Sequence, residues 1–156
     1  MDAVLGAGFS VDLSAGYLYE WLDGGIHWDI PPLHVLPEVE RANGTAAVNY
    51  STPLNDTYWF TARLENTYTG KRYTNTFPVP IQASGEYQPM AAYDLTNIRA
   101  AVRSDDGWSA AVFVNNLFNK HAQLETLWME AIYSSAFNRI VTNQPLTAGV
   151  DLSYQF

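Results

Sequence analysis

Apolar and polar residues alternate along six segments of the chain. In residues 146–156, every second residue is apolar, and polar residues or glycine lie between them. A period of two places successive side chains on opposite faces of a β-strand, whereas a helix repeats about every 3.6 residues. The pattern therefore predicts a strand here and in five further segments: residues 11–21, 45–51, 58–68, 93–103 and 108–118.

Residues 121–137 fit two interpretations. Four apolar residues have roughly helical spacing: Leu124, Leu127, Trp128 and Ile132. The same segment could equally be the outer part of a long strand that turns near residues 134–138. We favour the strand arm and leave the helix open.

The connections between the predicted strands alternate in length. Long segments, about 23–42, 70–92 and the region after 118, are separated by tight turns at 53–56 and 104–107. The second tight turn contains Asp-Gly, a strong hairpin signal. We expect an all-β fold, an antiparallel up-and-down meander of about six long amphipathic strands, with the first and sixth strands as open edges. Short turns on one side and long loops on the other are typical of outer-membrane β-barrels.

The composition excludes several classes of protein. Charged residues make up 15% of the chain, below the ~25% of a typical soluble domain, whereas hydrophobic residues make up 47%. The net charge is −8, and the chain lacks the Lys and Arg residues for a basic patch, so we expect no nucleic-acid partner. Cysteine is absent, which excludes disulfides, thiolate zinc sites and cysteine nucleophiles.

Neither a membrane helix nor a signal peptide is predicted. No stretch approaches the ~20 apolar residues that a spanning helix needs. The first residues lack the basic and apolar regions of a signal peptide. We expect any targeting segment of an exported protein to lie outside these 156 residues.

The two faces of the predicted strands differ in chemistry. Aromatic residues crowd the strand ends, as at Tyr17, Tyr58 and Tyr154, and smaller aliphatic residues lie between them. The opposite face carries charged and amide side chains: Asp12, Glu20, Asn49, Arg63, Glu65, Arg99 and Asp151. Such side chains are costly in a dry core but not in a water-filled lumen. Aromatic girdles around an aliphatic band predict a transmembrane β-barrel rather than a soluble sandwich.

Several segments resemble strands of the TonB-dependent outer-membrane receptors. Residues 108–120 resemble the penultimate strand of that family, which commonly ends in an Asn-Leu-Phe-Asp/Asn-Lys/Arg motif, and residues 143–156 resemble the last strand. Residues 36–53, 62–73 and 93–108 resemble earlier strands. The motif residues in this chain are Asn116, Leu117, Phe118, Asn119 and Lys120.

The last predicted strand also resembles the recognition signal of the β-barrel assembly machinery. The matching residues are Thr147, Gly149, Leu152, Tyr154 and Phe156. An exposed strand with aromatic residues can pair edge-on with another sheet. The resemblance therefore implies that this strand contacts the assembly machinery.

The resemblance implies energy-coupled uptake of a scarce nutrient, such as an iron–siderophore complex, at the outer membrane. Its implied partners are outer-membrane lipid, the assembly machinery, a small-molecule ligand, and TonB through a plug domain; no cofactor is implied. Intact family members have a plug and about 22 strands. Nothing in this chain resembles the plug, so we expect residues 1–156 to form the C-terminal strands of a larger barrel.

No residue set predicts an enzyme. His27, His34 and His121 are scattered over the connections, and Asp105-Asp106 lies in a turn. Gly6-Ala7-Gly8 lacks the helix that follows a phosphate loop. Some residues of the long connections could contact a ligand, although loop packing is the interpretation we favour: His27, Trp28, Tyr73, Tyr87, Trp128 and Tyr133.

Two other functions remain open at this point. The chain could be a small independent outer-membrane barrel or an oligomeric β-sheet binding module. It could also be a soluble all-β sugar-binding domain, in which case the aromatic residues would serve as sugar contacts. Solubility without detergent would distinguish the soluble domain from the membrane proteins.

Overall fold

The structure is a computed structural model that describes residues 2–19, 38–73, 89–129 and 137–156. All the regular structure in these residues is β-strand, and none of them belongs to a helix long and apolar enough to cross a membrane. In chain order the strands are β1 (Asp2–Gly6), β2 (Phe9–Tyr17), β3 (Ala42–Pro53), β4 (Tyr58–Thr69), β5 (Arg72–Tyr73), β6 (Pro89–Met90), β7 (Tyr93–Ser104), β8 (Trp108–Asn115), β9 (Gln123–Met129), β10 (Phe137–Thr142) and β11 (Thr147–Tyr154).

Seven strands form one antiparallel sheet in the order β1-β2-β3-β4-β7-β8-β11. The six predicted strands correspond to β2, β3, β4, β7, β8 and β11, so the all-β antiparallel prediction is confirmed. The expected edge at the first predicted strand is wrong, because β1 pairs with the outer side of β2. Within the described residues, β1 and β11 do not contact each other, and the sheet is open.

Two short antiparallel pairs lie outside the main sheet. β5 pairs with β6 in the connection between β4 and β7, and β9 pairs with β10 in the connection between β8 and β11. The strand arm is therefore confirmed for Gln123–Met129, and the helical alternative is wrong there. Residues of β9 pair with residues 8 to 19 positions further along the chain, and a count of apolar spacing within β9 cannot detect such a partner strand.

The register turns the alternation of the sequence into two distinct faces. Residues directly opposite each other on neighbouring strands share a face. We call one side the apolar face; its rows include Val48–Leu64–Ile98–Val114 and Tyr50–Ala62–Ala100–Val112–Val150. We call the other the polar face; its rows include Ser10–Asn49–Arg63–Arg99–Phe113–Gly149 and Asp12–Ala47–Glu65–Asn97.

Both predicted tight turns are confirmed, and they lie at the same end of the sheet. In the β3–β4 turn, the side-chain oxygen of Asn55 accepts the N–H groups of Thr57 and Tyr58, each at 2.9 Å. In the β7–β8 turn, the N–H of Gly107 donates to the carbonyl of Ser104 at 3.2 Å. We call this end the turn end. The long connections leave from the opposite end, which we call the loop end.

Large apolar residues of the apolar face are uncovered. Val112 is 56% exposed, Val150 66% and Leu152 78%. The buried apolar residues of the described chain are Met90 and three alanines: Ala47, Ala111 and Ala122. Two of these alanines lie on the polar face. No second layer of the described chain packs on the apolar face, which is the reverse of a soluble sandwich.

The β7–β8 turn yields a stability prediction. Gly107 has φ +93°, and a Cβ at this position would lie 2.5 Å from the carbonyl oxygen of Gln155. Gly6 also has a positive φ, +83°, but a Cβ there would contact nothing. We expect Gly107→Ala to lower the free energy of unfolding by about 1–3 kcal/mol more than Gly6→Ala, because only the first adds a steric clash. Denaturant titration measures the difference, and equal losses would contradict the turn geometry.

Candidate functional site

A four-residue polar network joins three strands on the polar face. Nη1 of Arg63 on β4 donates to Asp12 Oδ2 on β2 at 2.8 Å and to Asn49 Oδ1 on β3 at 2.7 Å. Its Nη2 and Nε donate to Glu65 Oε2 at 2.6 and 3.1 Å. Asn49 completes the network by donating to Asp12 Oδ2 at 2.9 Å. Each of the four side chains is hydrogen-bonded to at least one other member of the network.

A second ion pair has the same design on the other half of the sheet. Nη1 of Arg99 on β7 lies 2.6 Å from Asp151 Oδ2 on β11. The pair reaches across β8, just as the Arg63–Asp12 pair reaches across β3. Each ion pair therefore links two strands that are not neighbours in the sheet.

A buried alanine on the middle strand makes each crossing possible. Ala47 on β3 pairs in register with Asp12 and Glu65, and it is 2% exposed. Ala111 on β8 pairs with Asp151 and is 5% exposed. A larger side chain at either position would stand where the long charged side chains meet. These alanines are therefore part of the polar site.

The two arginines face each other but their guanidinium groups diverge. Arg63 and Arg99 are directly opposite in the β4–β7 register, where like charges repel. Arg63 turns toward Asp12 and Glu65, whereas Arg99 turns toward Asp151. An open groove of about 360 Å³ lies on this face, lined by Arg63, Glu65, Asn97, Ile98, Arg99, Phe113, Asn115 and Asp151.

The ion pairs are accessible to water. Side-chain exposure is 40% for Arg63 and 38% for Asp12, and 49% and 53% for Arg99 and Asp151. Exposed pairs of this kind typically contribute about 0–1 kcal/mol to stability. The polar face is thus accessible to water, and its charged side chains pair with one another. The predicted grouping of its charged residues on one face is confirmed for the described members; Glu20 lies outside the described residues.

Gly149, predicted as part of the assembly signal, accommodates an aromatic ring. It pairs in register with Phe113, whose Cε1 and Cε2 would lie 2.8 and 3.2 Å from a Cβ at this position. The ring covers the glycine on the polar face, where the absence of a side chain leaves room for it. The structure thus gives Gly149 a packing role.

The other predicted signal residues lie along the sheet edge. The hydroxyl of Thr147 donates to the carbonyl of Pro145 at 2.9 Å. Leu152 and Tyr154 are exposed on the apolar face, and Phe156 is fully exposed. The rings of Tyr154 and Phe156 meet edge to face at 5.1 Å. Within the described residues, β11 has a strand neighbour on one side alone, so these side chains stand beside an open edge.

Asn116 of the predicted family motif is a buried structural clamp. It is 4% exposed, and its Nδ2 donates to the carbonyls of Lys120 and Gln144, each at 2.9 Å. Its Oδ1 accepts the Lys120 N–H at 2.8 Å, and its own N–H donates to Asn97 Oδ1 at 3.0 Å. Its φ of 52° is a conformation that asparagine tolerates better than most residues.

Asn143 forms a second clamp that the sequence analysis missed. Its Oδ1 accepts the N–H of Ala122 at 2.7 Å, and its Nδ2 donates to the carbonyls of Lys120 and Gln144, each at 2.9 Å. The two asparagines share both carbonyl partners. Together they fix the start and the end of the connection that carries β9 and β10. A lone Asn before Gln-Pro is a common turn sequence, so only the structure distinguishes it.

The remaining motif residues support the same turn. Leu117 N–H donates to the Thr96 carbonyl at 2.8 Å, and Asn119 Oδ1 accepts the N–H of Leu146 at 3.0 Å. Phe118 is 73% exposed, and Lys120 is exposed. The motif therefore anchors a connection.

Of the predicted ligand-facing loop residues, the structure describes Tyr73 and the backbone of Trp128. Tyr73 is half-buried on β5, with Lys71 Nζ 5.1 Å from its ring centre. The backbone of Trp128 lies on β9 opposite Asn138, and its side chain lies outside the described residues. The others, likewise outside the described residues, are His27, Trp28, Tyr87 and Tyr133.

The described residues hold no cluster of three or more His, Cys, Asp or Glu side chains that could bind a metal ion. Comparison of the chain with protein-family models, with curated proteins and with solved structures finds no match. The chemistry of the two faces is consequently the main guide to function.

The alanine crossing points can be tested with a matched pair of substitutions. Ala46 and Ala47 are neighbours on β3, but Ala46 is exposed on the apolar face and Ala47 is buried under the Arg63 network. We expect Ala47→Leu to lower the free energy of unfolding by about 1–3 kcal/mol through overpacking, and Ala46→Leu to change it by about 0.5 kcal/mol or less. Denaturant titration compares them; similar effects at both positions would show that the crossing needs no small residue.

The asparagine clamp can be tested at Asn143. Asn143→Ala leaves the N–H of Ala122, a residue only 4% exposed, without its acceptor. We expect a loss of about 1–3 kcal/mol in the free energy of unfolding and faster hydrogen exchange at Ala122. Asn115→Ala, which removes an exposed amide on β8, is the control. An unchanged exchange rate at Ala122 would refute the clamp.

Proposed function

We propose that this chain is part of the wall of a TonB-dependent outer-membrane receptor barrel, which takes up a scarce nutrient such as an iron–siderophore complex. The observation that carries the proposal is the inverted packing of the sheet. Large apolar side chains are exposed on one face, while charged side chains on the other face pair with one another. A lipid-facing wall with a wet interior has this arrangement.

The height of the apolar face supports a membrane location. On β4, Tyr58 and Tyr68 flank the smaller residues Ala62 and Leu64 on the same face. The distance along the strand from Tyr58 to Tyr68 is ten residue steps, or about 34 Å at about 3.4 Å per step. At a strand tilt of about 40°, that is about 26 Å across the membrane, close to the ~25 Å apolar band of outer-membrane barrels.

Aromatic residues lie at both borders of this band. At the turn end, Tyr58 contacts Trp108 with ring centres 5.6 Å apart, and Tyr154 pairs in register with Trp108. At the loop end, Tyr17 and Tyr68 are 73% and 45% exposed. Tyr and Trp favour the two membrane–water interfaces, where the ring is apolar and its polar group remains hydrated.

The polar groups on the apolar face also fit this orientation. Near the loop end, Asn66 Nδ2 donates to Thr96 Oγ1 at 2.9 Å and to Asp94 Oδ2 at 3.2 Å. Asp94 pairs in register with Tyr68, and the Asn66–Thr96 pair lies one row further from the loop end. Their mutual hydrogen bonds lower the cost of placing them near lipid.

The open sheet and its exposed edge support a larger barrel. Spanning barrels start at about eight strands, and the described sheet has seven. The open edge of β11 and its aromatic residues suit edge-on pairing with the assembly machinery during insertion. In this proposal, the surrounding lipid covers the apolar face, and a plug domain links the complete receptor to TonB.

The orientation can be tested by cysteine labelling, because the chain has no native cysteine. Thr61 and Leu64 are both exposed and lie on opposite faces of β4. We expect a spin label at Leu64→Cys, in vesicles containing the folded chain, to be relaxed mainly by oxygen, which concentrates in lipid. A label at Thr61→Cys should be relaxed mainly by a water-soluble nickel complex.

The outcomes test two parts of the proposal in turn: the membrane location of the sheet, and its membership of a TonB-dependent receptor. Equal nickel accessibility at both positions, or a stable soluble monomer without detergent, would rule out the membrane wall. If the labels behave as expected, the upstream DNA, read in all frames, decides the next step. A plug and further strands there support the receptor; their absence, together with defined oligomers in detergent, favours the small independent barrel.

A further inference from the structure

The three long connections contact one another through β5 at the loop end. The N–H of Glu38, in the connection between β2 and β3, donates to the carbonyl of Tyr73 on β5 at 2.6 Å. Arg72, the other residue of β5, contacts the connection between β8 and β11. The two-residue strand β5 therefore has a neighbouring connection on each side.

Arg72 makes its contact through backbone carbonyls. Its Nη2 donates to the carbonyl of Leu124 at 2.6 Å and lies 3.4 Å from that of Gln123, both on β9. Its guanidinium carbon lies 5.9 Å from the ring centre of Tyr93, where the aromatic face attracts a cation. Charge-assisted hydrogen bonds are stronger than neutral ones, so Arg72 holds the base of β9 more firmly than a neutral donor would.

Both ends of this bridge are braced. Arg72 and Tyr73 pair with Met90 and Pro89 on β6, and Met90 is 1% exposed. On the far side, the Asn143 clamp holds Ala122, directly before β9. Because β5 and the start of β9 are both held by further contacts, a movement of one of them is passed to the other through Arg72.

We infer that Arg72 and β5 form a coupling element, which transmits displacement between the first and third long connections. When β9 moves away from the sheet end, Arg72 pulls on β5, and the Tyr73 carbonyl then shifts relative to Glu38. The inference depends on the contacts of the loop end alone and would hold for a barrel wall or for any other role of the sheet.

Hydrogen exchange on the full chain tests the coupling, because the Glu38 amide reports the far side of the bridge. We expect Arg72→Ala to speed exchange about tenfold in β9 and also at Glu38, through loss of a charged hydrogen bond. Lys71→Ala is the matched control: it removes the exposed cation that lies over the Tyr73 ring and leaves the hydrogen bond from Arg72 to β9 in place, so we expect a much smaller change at Glu38 than in Arg72→Ala. The β7–β8 amides serve as the reference for an intact sheet.

Two results would overturn the inference. One is faster exchange in β9 with an unchanged Glu38 amide in Arg72→Ala, which would mean that the contacts are independent. The other is an equal acceleration at Glu38 in Lys71→Ala. Should Arg72→Ala also loosen the β7–β8 amides, Arg72→Lys gives the deciding comparison. Lysine keeps the positive charge but lacks the guanidinium fork, so it loses part of the β9 contact. Exchange at Glu38 and in β9 must then rise together.

Discussion

Strand register is the constraint on which both faces of this sheet depend. β3, β4 and β7 each span twelve residues and pair residue for residue along their common length. A slip of one residue on β4 would move Leu64 to the polar face and carry Arg63 to the apolar face. The ion pairs and the apolar rows therefore specify the same register, and a shift would disrupt both together.

Much of this architecture was predictable because a period of two is a local property of the chain. Residues 146–156 carry their alternation without reference to any other segment, and the turn at Asp106-Gly107 is likewise local. β1 was missed because its five residues are too short to show alternation. β9 was ambiguous because its partner, β10, and not its own spacing, makes it a strand.

The sequence predicts which residues of the polar site share a face, but not how they pair. Alternation places Asp12, Arg63 and Asp151 on one face, but it does not show that each arginine passes over a strand to reach its carboxylate. Ala47 resembles ordinary apolar filler in the sequence, although the ion pair depends on its small size. The turn sequence around Asn143 does not reveal its role, since two of its partners, the Lys120 carbonyl and the Ala122 N–H, lie more than twenty residues away in the chain.

The divergence of the two arginines has a mechanical consequence. On the polar face, one ion pair ties β2 to β4 and the other ties β7 to β11, while Arg63 and Arg99 repel each other across the β4–β7 boundary. The sheet thus consists of two halves, each held by its own ion pair, and two like charges face each other at the β4–β7 boundary between the halves. Among the described residues, no ion pair crosses the boundary between the two halves, so on the polar face no salt bridge opposes a change in the curvature of the sheet there.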